Sequence, residues 1–164
     1  MAYAVTHILV VIVILELARH YVFGKNKFPR YLVVIGGIAG LMPDIDIPLG
    51  WVYNFVTGIG INFHGMFTHS FVFVALFAIL GLVLQIRKNM QWAKIFYVIA
   101  FGWFMHLALD CLYGGYKTFF WPFQIAAAFC PQTNLYYHAE SIDAILLVLW
   151  LVHEEVHKKI KEYI

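Results

Sequence analysis

Charged residues are scarce in this sequence. Asp, Glu, Lys and Arg make up 12% of its 164 residues, about half of their usual share in a soluble domain. Hydrophobic residues reach 63%. So few charges are not typical of a water-soluble domain, and we predict a protein that resides in a lipid bilayer. The net charge of +2 and the lack of a basic stripe interleaved with aromatic residues disfavour DNA or RNA as a partner.

Cysteine is nearly absent as well. Two cysteines, Cys111 and Cys130, exclude a disulfide framework, while one bridge between them on an oxidising side of the membrane remains open. The apolar N-terminal segment lacks the basic start and the small-residue cleavage site of a secretory signal. We therefore expect residues 4–23 to form a retained membrane helix.

Apolar runs occupy most of the chain, and the longest match the ~20 residues that a helix needs to cross a bilayer. Between them lie basic turns at 24–30 and 87–94. Residues 44–67 mix Gly, Asn, Pro and aromatics, which is typical of a re-entrant or interfacial loop with short helical pieces. We predict one all-α integral membrane domain over residues 1–164, with about five transmembrane helices and a polar C-terminal helix extension. The predicted spans are 4–23, 31–43, 68–86, 95–112 and 141–155.

The distribution of cations predicts the orientation. With five crossings, ten of the eleven Lys and Arg residues lie on one side and only Lys117 lies on the other. Cytoplasmic loops are rich in Lys and Arg, so we predict a cytoplasmic C-terminus and an N-terminus outside. The extracytoplasmic face then collects seven candidate site residues, which are His7, Asp44, Asp46, His64, His69, His106 and Asp110.

These seven residues suggest a metal site. His106 and Asp110 stand four apart on a predicted helix, so their side chains project from one face. Asp44 and Asp46 closely follow a proline, where an extended backbone lets two carboxylates bind neighbouring ions. Ionisable groups at this depth are costly unless they are paired or bound to metal. Imidazole and carboxylate ligands suit zinc, with manganese or iron as alternatives, and seven of them suffice for two ions.

Four motifs carry a family resemblance: TH (6–7), GLMPDIDIP (40–48), HGMFTHS (64–70) and HLALD (106–110), followed by GG and WPF within 114–123. In this order they resemble the YdjM-type membrane-bound metal-dependent hydrolases. Those hydrolases resemble in turn the zinc-dependent phospholipase C and single-strand-specific nuclease superfamily. The resemblance implies that Asp46 and His64 bind metal or orient water. It implies metal ligands at His7, Asp44, His69, His106 and Asp110.

Two positions depart from the family pattern. Ile47 stands where a His often follows the PDID element, and Gly65 stands where an Arg often follows the first His of the HRGxTHS element. An arginine at the second position would be a natural phosphate clamp. The sequence therefore keeps the implied metal ligands but lacks this clamp.

The predicted function is hydrolysis of a phosphoester in a lipid or lipid-linked substrate, by metal-activated water at the extracytoplasmic face. Membrane lipids are the predicted partners, and the oligomeric state stays open. An ion or proton transporter that uses the same cluster, and a non-catalytic metal-stabilised scaffold, remain as alternatives. The residues with predicted catalytic roles are Asp44, Asp46 and His64.

Polar residues at the other end of the spans are interpreted as structural. Glu16, Arg19 and His20 form a predicted salt-bridge cluster at the cytoplasmic end. Because this cluster is the only polar group in the inner half of the predicted spans, it argues against an ion path. His153 and Glu154, near the C-terminus, are interpreted as part of a solvated helix face.

Overall fold

A computed structural model describes residues 4–113, 118–123, 129–131, 133 and 135–156. Over this part of the chain it contains six α-helices, several short helical turns and no strand. The all-helical prediction is therefore confirmed for the described residues. The helices are α1 (Ala4–Ala18), α2 (Arg30–Ala39), α3 (Asp46–Thr57), α4 (Phe71–Ile86), α5 (Met90–Leu112) and α6 (Ala139–Val156).

Two helical stretches are long and apolar enough to cross a membrane. One is Ala4–Phe23, in which α1 continues into a π-helical turn, and the other is α5, with 23 residues. Helices α2 and α3 form a third candidate, a pair bent by 47° at the break between them. Among the described residues this gives two candidate spans, or three if the bent pair is one span. The predicted count of five is not confirmed.

Helix boundaries differ from the predicted ones where side chains cap the helices. Ser70 Oγ accepts a hydrogen bond from the Val72 amide, so α4 begins at Phe71 instead of residue 68. Asn89 caps α5 in the same way, and α5 begins at Met90 instead of residue 95. Helix α2 ends at Ala39, before the predicted 43, and α6 begins at Ala139, before the predicted 141.

The predicted loop 44–67 contains the 12-residue helix α3. This helix ends where Gly58 adopts a left-handed backbone conformation and its amide bonds to the Asn54 carbonyl. Hydrophobic periodicity did not reveal α3, because most of its side chains are exposed and only Asp46 and Gly50 are buried.

Helices α1, α2 and α5 share an apolar core around Val11, Leu15 and Val98. Two glycines let α2 and α5 approach backbone to backbone: a Cβ added at Gly102 would lie 2.7 Å from the Gly36 carbonyl oxygen. This approach brings the C-terminal half of α5 against the end of α2, where the site lies.

A second core holds the segment after α5 in place. Trp103 and Leu107 of α5 pack against Phe119 and Cys130. Cys130 is disulfide-bonded to Cys111, so the bridge that the sequence left open is formed. The last turn of α5 is thereby tied covalently to the chain that follows it.

At the opposite end from the site, ion pairs form within the first helical stretch, Ala4–Phe23, and between α2 and α6. Arg19 contacts the buried Glu16 at 2.8 Å, and His20 lies 3.3 Å from the same carboxylate, so the predicted cluster is confirmed. The interpretation of Glu154 as solvated was wrong: it is 4% exposed and pairs with Arg30 at 2.8 Å. Lys117 and the C-terminal lysines, on which part of the orientation argument rests, lie outside the described residues.

Candidate metal centre

The predicted site residues converge at one end of the helix bundle. His7 lies in the first turns of α1, Asp44 in the short turn between α2 and α3, and His69 just before α4. His106 and Asp110 lie in the last two turns of α5. All of these side chains are buried except Asp44, which is partly exposed.

Four ligand atoms surround one point. His69 Nε2 and His106 Nε2 are 3.2 Å apart, and they lie 3.4 and 3.5 Å from Asp44 Oδ1. Each is also 3.6 Å from Asp110 Oδ2. Ligands ~2.0–2.2 Å from a tetrahedral zinc ion are roughly 3.3–3.6 Å from one another. The observed spacing therefore fits one divalent ion of that size.

The second nitrogen of each imidazole fixes its proton. His106 Nδ1 lies 2.7 Å from the Gly40 carbonyl oxygen, and His69 Nδ1 lies 3.1 Å from Asp46 Oδ2. Both partners are acceptors, so each Nδ1 carries the proton and each Nε2 presents a lone pair. Two such lone pairs 3.2 Å apart, beside two carboxylates, repel one another unless a cation lies between them. The protonation pattern and the spacing point to the same conclusion.

Asp46 lies beside this set and supports it. Its Oδ2 accepts hydrogen bonds from the Gly65 amide and the Thr68 hydroxyl, both at 2.9 Å, in addition to the His69 ring. Its Oδ1 lies 3.1 Å from His64 Nδ1. Protein donors thus occupy both oxygens, and the structure places Asp46 as a carboxylate that orients a ligand histidine.

Gly65 accounts for one departure from the family pattern. Its φ of +80° lies in the left-handed region, which favours glycine over any residue with a side chain. In this conformation its amide reaches Asp46. An arginine clamp at residue 65 would therefore require a strained backbone. The other departure, Ile47, lies in the first turn of α3, beside an apolar cavity.

His7 and His64 extend the set on opposite sides. The His7 ring stacks on His106 with centroids 3.8 Å apart, and its Nε2 lies 3.6 Å from Asp110 Oδ1. Its buried Nδ1 has no hydrogen-bond partner among the residues that the structure describes. His64 Nδ1 lies 3.9 Å from Asp44 Oδ1. Two groups could each bind a metal ion: His7, His106 and Asp110, which are all buried, and Asp44, His64 and His69, of which only His69 is buried.

Two cavities adjoin the site on either side of the turn between α2 and α3. One, of about 290 Å³, is lined by Asp46 and His64 together with Asn54, Asn62 and Trp51. The other, of about 440 Å³, is apolar apart from Asp44. Its apolar lining includes Ile38, Leu41, Met42, Ile45 and Pro48.

Sequence reasoning missed three groups that hold the ligands. The Gly40 carbonyl fixes His106, the Thr68 hydroxyl supports Asp46, and the Trp103 indole donates to the Thr68 carbonyl at 2.9 Å. Backbone carbonyls leave no signal in a sequence. Thr68 lies within the THS element, so the sequence shows that it precedes His69, but the sequence does not show that its hydroxyl bonds to Asp46.

A family model described as YdjM inner membrane protein matches residues 1–160. The matched range includes every residue of the site described above. No curated protein and no solved structure matches the chain.

Proposed function

We propose that this chain, which belongs to the YdjM inner membrane protein family, is a membrane-embedded metal-dependent hydrolase of a phosphoester in a lipid or lipid-linked substrate. The observation that carries the proposal is the set of four acceptor atoms, three on buried residues and one on the partly exposed Asp44, at the spacing of a tetrahedral ion around His69 and His106. The resemblance to metal-dependent hydrolases supplies the reaction class.

Four residues would hold the ion: His69, His106, Asp44 and Asp110. The mixed imidazole and carboxylate set favours zinc, with manganese or iron as alternatives. His7, which faces the second oxygen of Asp110, would extend the set toward a second ion. A bound divalent cation supplies Lewis acidity toward a phosphoryl oxygen and makes water more acidic.

The remaining polar groups have separate tasks in this proposal. Asp46 holds the proton on His69 Nδ1 and so keeps Nε2 directed at the ion. His64 bonds to Asp46 through Nδ1, lines the polar cavity and is partly exposed, so its Nε2 can take up or release a proton during the reaction. Asp44 is the most exposed ligand, which favours approach of the substrate from its side.

We propose five spans, with the site on the extracytoplasmic side. The Cys111–Cys130 bridge supports this orientation, because disulfides form and persist on the oxidising side of a membrane. Cys111 directly follows Asp110, so the bridge and the site share one end of α5. The basic turns at 24–30 and 87–94 lie at the other ends of α1 and α5, as the positive-inside rule requires.

The arrangement of the core argues against the transporter alternative. Between His7 and Glu16 on α1, the inward-facing positions are Val11 and Leu15, which are 0% and 6% exposed. Val98 of α5 packs against them. Within the described residues, a tight apolar layer therefore separates the site from the ion pairs at the other end, and an ion path would have to break it.

The proposal is tested by measuring metal content and hydrolysis together. Protein purified in detergent is loaded with zinc or manganese and analysed by mass spectrometry, as wild type and as His69→Ala and Asp110→Ala. The exposed His138 provides the matched control, His138→Ala. We expect bound metal in the wild type and the control, its loss in both site variants, and release of phosphate or a headgroup from lipid phosphoesters in parallel.

Two results would contradict the proposal. No bound metal in the loaded wild type would remove the metal centre and favour the transporter. Bound metal that stabilises the fold but supports no hydrolysis across a panel of lipid phosphoesters would identify a metal-stabilised scaffold.

A further inference from the structure

The break between α2 and α3 creates an apolar cavity that leads to the metal centre. Helix α2 ends at Ala39, and the bend of 47° leaves a space of about 440 Å³ beside the first turns of α1 and α3. Asp44, a candidate ligand, is the one ionisable residue in its lining. The cavity therefore adjoins one of the four residues that would hold the ion.

The walls of this cavity face outward as well as inward. Ile38 is 61% exposed and Ile45 is 47% exposed, on helices that would lie against lipid. An apolar chain can then enter from the side, without passing through water. Since the cavity offers it no hydrogen-bonding group other than Asp44, a polar ligand would lose its hydration there without replacement.

The cavity on the other side of the turn has the opposite character. Asp46, His64, Asn54 and Asn62 contribute polar groups to it. Ile47 lines both cavities and so marks the boundary between them. Of the two spaces that adjoin the ligand set, one thus suits a hydrocarbon chain and the other a polar group.

We propose that the site takes a single-chain amphiphile, with its one hydrocarbon chain in the cavity beside Ile38 and Ile45, its phosphoester at Asp44 and its headgroup in the Asn54 and Asn62 cavity. This inference rests on the proposed hydrolase function and specifies its substrate class. The limited volume of this cavity, about 440 Å³, is what favours one chain over two.

The experiment uses dodecyl phosphate with a diazirine near the end of its chain, added to the metal-loaded, detergent-purified chain. After photolysis, labelled peptides are identified by mass spectrometry. Ile38→Trp fills the cavity, and Val34→Trp is the matched control, because Val34 lies one turn earlier on the same face and is similarly exposed at 55%. Metal content is measured for each protein, so that a folding defect is recognised. If Ile38→Trp loses metal, Ile45→Trp is used in its place.

We expect labelling to concentrate between residues 38 and 48, to fall at least about tenfold in Ile38→Trp and to remain unchanged in Val34→Trp. Loss of each methylene from the cavity corresponds to about a fourfold loss in binding. The preference for dodecyl over butyl phosphate in kcat/KM should fall with the labelling, while turnover of butyl phosphate persists.

Labelling spread over the lipid-facing surface of α4, or labelling that Ile38→Trp leaves unchanged, would overturn the single-chain proposal while metal binding and hydrolysis stand. Labelling at residues 38–48 without hydrolysis of any phosphoester would retain the chain site and overturn the proposed hydrolase. The two proposals therefore fail in distinguishable ways.

Discussion

Replacing Asp46 with Asn tests whether this carboxylate orients a ligand or binds the metal itself. Asp46 is 1% exposed and accepts from the Gly65 amide, the Thr68 hydroxyl and two imidazoles, all within 3.1 Å. The Asn side chain keeps one acceptor oxygen and gains an NH₂ group that cannot accept. The amide oxygen can take the place of Oδ2 and still accept from His69, but the negative charge that makes the His69 ring more basic is lost, while all four proposed ligand atoms remain.

The size of the expected effect follows from this geometry. Removing the carboxylate partner of a ligand histidine lowers metal affinity by about 10–100-fold, which corresponds to about 1.4–2.7 kcal/mol. Removing a ligand itself, as in Asp110→Ala, should abolish stoichiometric binding. We therefore expect the affinity of Asp46→Asn to lie between those of the wild type and Asp110→Ala.

The assay is competition for zinc with a chromophoric chelator in detergent, and Glu140→Gln, at an exposed position on α6, is the control for loss of one negative charge. Unchanged affinity in Asp46→Asn would refute the orienting role. Affinity as low as that of Asp110→Ala would show that Asp46 binds the ion directly, and the single tetrahedral set would then be incomplete.

Three further predictions concern contacts that hold the helices together, near the site and at the other end of the bundle. Gly102→Ala places a Cβ 2.7 Å from the backbone of α2, so metal affinity and Tm should both fall. The control variant Gly60→Ala has open space around its Cβ and should change neither. Equal behaviour of the two variants would exclude the close approach of α2 and α5. Replacing both Cys111 and Cys130 with Ser should lower the free energy of unfolding by about 3 kcal/mol for a loop of this size. After mild reduction of intact cells, a membrane-impermeant maleimide should label the two cysteines of the wild type. Labelling only after lysis would show that the orientation is the reverse of the proposed one. Arg30→Gln removes the arginine that pairs with the buried Glu154 on α6. It should cost about 1–2 kcal/mol of stability, since the arginine is partly exposed, and leave the metal content unchanged. Loss of metal would show that the two ends of the bundle are coupled.

Sequence alone was sufficient to predict that these residues converge, because their spacing carries the information. His106 and Asp110 share a helix face at four residues' separation, and the structure brings both within 3.6 Å of one another. Convergence with His69 and Asp44 followed from placing their segments at one membrane face. Local spacing and the positions of the cations were enough for this step.

Contacts between distant segments could not be predicted in the same way. Asp46 is held by Thr68, twenty-two residues further along the chain. Glu154 is buried against Arg30, which lies 124 residues away in sequence. The bounds and the 12-residue length of helix α3 were not predicted, because its exposed apolar side chains follow no periodic pattern of burial. In each case the tertiary partner, which the sequence does not identify, decides the outcome.

The two ligand histidines differ in what holds them, and this difference limits how evolution can adjust the centre. His69 is fixed by a side chain, so substitutions at Asp46 can tune the basicity of its ring. His106 is fixed by the main-chain carbonyl of Gly40, which every residue possesses. No single side-chain replacement can remove that acceptor; only a displacement of α2 relative to α5 can. One half of the centre is therefore open to gradual change by point mutation, whereas the other half is inherited with the packing of the helices.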